Sequence, residues 1–202
     1  MSECKLAKTS VPYGDEQMSR SPSLQLMFLA TKKFDSGKAI RGAFLLTDLN
    51  TKPVEFRCTN PIRPTTLQTM LYGDTLEQHI MVELIGLPLI TSLKDRPALI
   101  LIREAVFMRA RPRVEIPIIR LVKEESLAVS STGEGNPTQL LHSASGRFDP
   151  VVLAAHAKFS SDREQAKAIL AEIFDNHDLL EPFDRIESAL EQVHAQKIGE
   201  EK

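Results

Sequence analysis

The chain has 202 residues, of which 42% are hydrophobic and 26% charged, and its formal net charge is −2. That length suits one compact domain, which buries enough surface to need no disulfide or metal staples. Nine Phe, two Tyr and no Trp leave an aliphatic core and little material for a base-stacking platform.

Residues 1–20 are polar and without period, which predicts a flexible tail. They contain no apolar signal-peptide core. The first apolar run, Leu24 to Ala30, is too short to span a bilayer and is followed by Lys32 and Lys33. Ser2 excludes the N-myristoylation pattern, and the C-terminal residues form no prenylation box. Cys4 and Cys58 lie far apart, the pattern of two free thiols in a reducing compartment. The expected location is the cytoplasm, with no membrane contact.

An α+β domain with a largely antiparallel sheet is predicted over residues 21–160. Leu24 to Ala30 reads as its first strand and Ala39 to Thr47 as its second, with turn chemistry at Asp35-Ser36-Gly37-Lys38 between them. Val54 to Thr59 alternates, with Val54, Phe56 and Cys58 on one face and Glu55, Arg57 and Thr59 on the other. Three strands joined by short turns make a meander. Thr65 or Thr66 opens a short helix closed by Gly73. A second helix follows, with Thr75 and Gln78, or Asp74 and Glu77, as a capping box. Its stripe of Leu76, Ile80 and Leu84 is interrupted at Gly86 and Pro88. This central helical region is expected on one face of the sheet.

Ala98 to Ile102 is continuously apolar, the pattern of a strand buried on both faces. Val114 to Val122 reads as another strand, with Pro117 marking an edge or bulge. Residues 124–138 read as a long loop, and Val151 to Phe159 as a last strand. Residues 161–202 form a helical pair that packs on the domain or on a partner. Asp162 is expected to cap its first helix and Pro182 to sit in the first turn of its second.

Charge is uneven along the chain. Residues 1–123 hold 18 basic and 12 acidic side chains, a net +6, and residues 124–202 hold 7 and 15, a net −8. Such asymmetry points to a charged partner, or to no more than solvated helices. Arg109, Arg111 and Arg113 alternate, so an extended strand would line them up about 6.6 Å apart, from the ~3.3 Å rise per residue. With Arg103 and Arg120 nearby, the row suits a polyanion, because the guanidinium fork matches phosphate and carboxylate. It suits equally a charged strand edge, or an internal ion-pair face that receives the acidic C-terminal helices.

Asp48, Glu55 and Arg57 sketch a metal-dependent nuclease site. Two carboxylates on neighbouring strands would hold Mg²⁺ and the cation would stabilise charge. Asp48 is also what a turn wants for its own sake. The five histidines show no ligand spacing, and His79 and His156 read as structural residues. Ser143-Ala144-Ser145-Gly146 lacks the order of a nucleophile elbow. No cofactor is implied. Leu179, Phe183, Ile186, Leu190 and Val193 step by four and three along the last helix, a stripe for this protein's own sheet or for a partner helix.

The expectation from these residues is a non-catalytic binding or accessory subunit of a cytosolic assembly. It would contact an acidic protein or nucleic acid through a basic strand. The alternative is a nuclease-like, metal-dependent enzyme built on Asp48 and Glu55.

Overall fold

The structure is a computed structural model, and it describes residues 6–7, 24–124 and 138–197. The tail and the 124–138 loop therefore lie almost wholly outside the described residues. Among the described residues eight strands form one sheet in the order β1-β4-β3-β2-β5-β6-β8-β7. They are β1 (Leu6–Ala7), β2 (Leu26–Phe34), β3 (Ala39–Thr47), β4 (Pro53–Thr59), β5 (Leu99–Ile102), β6 (Ile118–Lys123), β7 (Thr138–Leu141) and β8 (Val151–Ala155). The pairs β2·β5 and β5·β6 are parallel and the others antiparallel, so the α+β reading with a largely antiparallel sheet stands.

The meander β2-β3-β4 forms as its turn chemistry predicts. Its first turn places Asp35, Ser36 and Gly37 at φ values of 52°, 55° and 89°, a bend that residues without a branched Cβ accept most readily. Leu99 to Ile102 is fully buried on both faces, because helices cover both sides of the parallel centre.

One face packs against α4 (Ser161–Asn176) and α5 (Glu181–Ala195) through Leu26, Phe28, Leu101, Leu121 and Leu153. The other face packs against the central helical region through Met27, Leu29, Phe44, Ile100 and Ile102. The C-terminal pair is thus the second cover of the sheet. Asp162 does not cap α4. It is buried and accepts both Nε and Nη2 of Arg111, at 2.5 and 2.9 Å.

The helix α1 (Thr66–Tyr72) opens on a full capping box between Thr65 and Gln68. No side-chain cap forms at Thr75, where the expected box would have stood. From Leu76 the helix runs through α2 (Leu76–Gln78), a π-helical stretch His79–Gly86 and α3 (Leu87–Thr91). Pro88 sits in the first turn of α3, where its missing N–H costs little, so the chain continues in helix instead of ending. The stretch lies hard against β3. A Cβ on Gly42 would stand 2.0 Å from Cγ2 of Ile85.

The arginine row does not form a strand. Ala105–Arg113 is a 3₁₀ segment. Side chains three apart eclipse in such a helix, so Phe107 and Ala110 turn inward together, as do Met108 and Arg111. Arg109 and Arg113 are left outside. A period of three, not of two, decides which arginine is buried.

Candidate functional site

The central parallel strands end side by side. Leu29 on β2 is level with Ile102 on β5. Beyond that level β2 continues as Thr31, Lys32 and Lys33, and β5 gives way to Arg103 and Glu104. From here the connection of β2 runs to β3 on one side, and that of β5 runs to β6 on the other. In open sheets, such a point at the carboxyl ends of strands is where ligands are met.

Strand alternation sorts these side chains by face. On the central-helix face, Glu104 Oε1 accepts the Thr31 amide at 2.9 Å and the Thr31 hydroxyl at 2.8 Å. Glu104 Oε2 is buried and has no hydrogen-bond partner. On the α5 face, Lys32 Nζ meets Glu191 at 2.6 Å and Glu187 at 3.5 Å. Arg103 donates to Asp184 at 2.8 Å, to Glu187 at 3.3 Å and to the Leu180 carbonyl at 3.0 Å. Its guanidinium lies over the Phe183 ring, 4.9 Å from the centroid. The hydrogen bond to Glu191, with the nearby charge of both glutamates, raises the Lys32 ammonium above its ordinary value.

The end of the β2–β3 hairpin closes this group. His194 stacks on Phe34 with centroids 4.1 Å apart. Arg41 Nε, fully buried, lies 3.3 Å from His194 Nδ1, and His194 Nε2 lies 3.3 Å from Asp35 Oδ1. That contact to His194, followed by Arg63, holds the Asp35 carboxyl below the usual carboxylate range.

The sequence-predicted arginines separate. Arg111 is buried on Asp162 with its guanidinium 4.0 Å from the Phe159 ring centroid. Arg113 pairs with Glu83. Arg103 joins the carboxyl-end group, and Arg120 Nε supports it by donating to the Arg103 carbonyl at 2.9 Å. Arg109 is exposed on the 3₁₀ segment. Arg103 and Arg111 both form ion pairs with carboxylates of the C-terminal helices.

Asp48 and Glu55 stand at the opposite end of the sheet. β3 pairs antiparallel to β2 with Leu26 opposite Thr47, so Asp48 lies beyond the amino end of β2. Its Oδ1 accepts the amides of Asn50 and Lys52, each at 2.9 Å, which is the turn chemistry of an Asx residue. Glu55 is taken by Arg57, which also donates to the Ser92 carbonyl at 2.7 Å. Both carboxylates are thus engaged by neighbours close in sequence. Among the described residues no group of three or more His, Cys, Asp and Glu side chains stands close enough to hold a metal.

The stripe Leu179, Phe183, Ile186, Leu190 and Val193 is buried on this protein's own sheet, with Phe183 edge-on to Phe28 at 5.3 Å. It presents no face to a partner helix. No described helix is long and apolar enough to cross a membrane. Sequence reasoning missed Thr31, Lys32, Glu104 and His194 as a group. Thr31 and Glu104 are 73 residues apart, and only the parallel pairing of β2 with β5 joins them.

No protein-family model matches the chain, and no curated protein matches it. Solved structures do. The fold resembles that of human ENDOV at a TM-score of 0.58 and 12% identity, over 87% of each chain. It also resembles the endonuclease V of Streptomyces avermitilis, at a TM-score of 0.50 and 11% identity over 87% of this chain and 83% of that one. These likenesses correct the expectation of a non-catalytic accessory subunit defined by protein–protein contact. Both of these structures are endonuclease V proteins by name.

Proposed function

We propose that this chain processes nucleic acid and meets the strand at the carboxyl ends of β2 and β5. The observation that carries the reading is the endonuclease V-like fold, traced over 87% of this chain and of human ENDOV. The position of the site comes from this chain's own residues. Glu104 is held by two donors of Thr31 on one oxygen and has a buried second oxygen without a partner. An orphaned buried acceptor calls for an explanation, and a water or substrate hydroxyl donating to it supplies one. A carboxylate so fixed is also a positioned proton acceptor.

Asp48 and Glu55 have no part in this reading, for the reasons of geometry given above, and no step is routed through a metal they would hold. A cytoplasmic site of action belongs to the same proposal. Cys58 is a buried free thiol, and burial pushes it above its ordinary value.

The test is direct. Labelled single- and double-stranded DNA and RNA are mixed with the protein, with Mg²⁺, with Mn²⁺ and with EDTA. Anisotropy reads binding and gels read strand cleavage. Binding that weakens with salt is expected. Glu104→Gln should lower processing about a hundredfold, the usual scale for a positioned proton acceptor, and leave affinity unchanged. Failure of every nucleic acid to bind would end the proposal.

A further inference from the structure

The charges at the carboxyl ends of β2 and β5 are arranged the wrong way round for a cation. On the α5 face the sheet supplies Lys32 and Arg103, and the carboxylates come from the helix opposite. Asp184, Glu187 and Glu191 stand on α5 at spacings of three and four, so they share one helical face. Lys32 touches two of them and Arg103 touches two, with Glu187 shared between the cations.

We infer that Lys32 and Arg103 form a binding site for a phosphodiester anion, occupied at rest by the α5 carboxylates. The inference rests on the nucleic-acid reading above and names the ligand group of that same site. Three features support it. Arg103 is pre-organised, because Phe183 lies beneath its guanidinium and the Leu180 carbonyl accepts a hydrogen bond from it. Its planar fork suits a phosphate as well as a carboxylate. The competing carboxylates are also solvent-facing: the side chains of Asp184, Glu187 and Glu191 are 69%, 40% and 59% exposed. Ion pairs so exposed add little stability and exchange readily.

The helix itself need not leave. Its apolar stripe stays on the sheet, and only glutamate and aspartate side chains rotate away as a phosphate enters. The site therefore costs no unfolding, and α5 acts as an intramolecular competitor for the strand.

The experiment compares full-length variants by anisotropy with a labelled single-stranded oligonucleotide. The combination Asp184→Asn, Glu187→Gln and Glu191→Gln should bind about tenfold more tightly, the scale of a few exposed ion pairs. Lys32→Ala with Arg103→Ala should bind more weakly and with a flatter salt dependence. Joining all five changes should abolish the gain. A gain that persists without Lys32 and Arg103 reports bulk charge alone and overturns the site, and so does an oligonucleotide that binds with no gain. Thermal melts with inorganic pyrophosphate separate this failure from that of the wider reading. Stabilisation of the triple variant by pyrophosphate, lost without Lys32 and Arg103, keeps the anion site even where no nucleic acid binds. Melts insensitive to pyrophosphate, with no oligonucleotide binding, overturn it.

Discussion

The two faces of the sheet are covered by elements of different regularity. On one face lie α4 and α5, helices of 16 and 15 residues with one steady period each. On the other, the chain from Leu76 changes from α to π and back to α, and later contributes the 3₁₀ segment Ala105–Arg113. Both faces bury continuous apolar layers. The difference lies in what their sequences display. A period near 3.6 sustained over four turns reads as a helix and names its buried side. Short stretches with periods of three or more than four read as strand or as nothing, as Arg109, Arg111 and Arg113 show. Regular cover is legible throughout, whereas in the irregular cover the helical run from Leu76 was legible and the 3₁₀ segment Ala105–Arg113 was not.

The largest expected effect lies on the regular face. Phe183 is fully buried, edge-on to Phe28, and carries Arg103 above its ring. Phe183→Ala should cost about 3–5 kcal/mol of stability, as large-to-small core changes do. Denaturant melts of dilute protein measure it. An unchanged midpoint would mean that α5 does not rest on this sheet, and the comparison of faces would lose one of its terms.

On the irregular face the sharpest test is steric. Gly42 has room for no side chain, because Cγ2 of Ile85 already occupies the place of a Cβ. Gly42→Ala should destabilise by about 1–3 kcal/mol, the range for overpacking a filled core. The two residues should also couple. Ile85→Ala should cost less in the Gly42→Ala background than alone, since it removes the clash it would otherwise meet. Additive costs would show that the π-helical stretch yields freely, and that this face is looser than its packing implies.

The candidate site was less legible than the fold, for a related reason. The meander, the buried strand Leu99 to Ile102 and the α5 stripe each rest on local patterns. The carboxyl-end group rests on register between strands far apart in sequence. Lys32 and Lys33 read only as the charges that end an apolar run, and Glu104 showed no signal at all. Arg103 was visible within a basic cluster, and pairing with the acidic C-terminal helices was one of three readings of that arginine row. That pairing forms because α5 lies over β2, a tertiary fact. Asp48 and Glu55 contrast in the opposite sense. They are close in sequence and resemble a site, yet each answers to its own turn or strand neighbour.

That last contrast yields the smallest expected effect and the cleanest separation between the two ends of the sheet. Asp48→Asn removes the charge and keeps a side-chain oxygen, so the acceptor for the Asn50 and Lys52 amides survives. Stability should change by no more than about 0.5 kcal/mol, as for a surface change that spares its hydrogen bonds. Asp48→Ala loses both bonds and should cost about 1 kcal/mol. Neither variant should alter nucleic-acid affinity, processing or the response to Mn²⁺ in calorimetric titration, whereas Glu104→Gln should alter processing. The discriminating result is the asparagine variant. A turn residue tolerates it, because the amide oxygen accepts as the carboxylate did. A metal ligand does not, because the amide brings no negative charge to the cation. Loss of Mn²⁺ binding with an unchanged melt would therefore return the site to the β3–β4 hairpin and remove it from the carboxyl ends of β2 and β5.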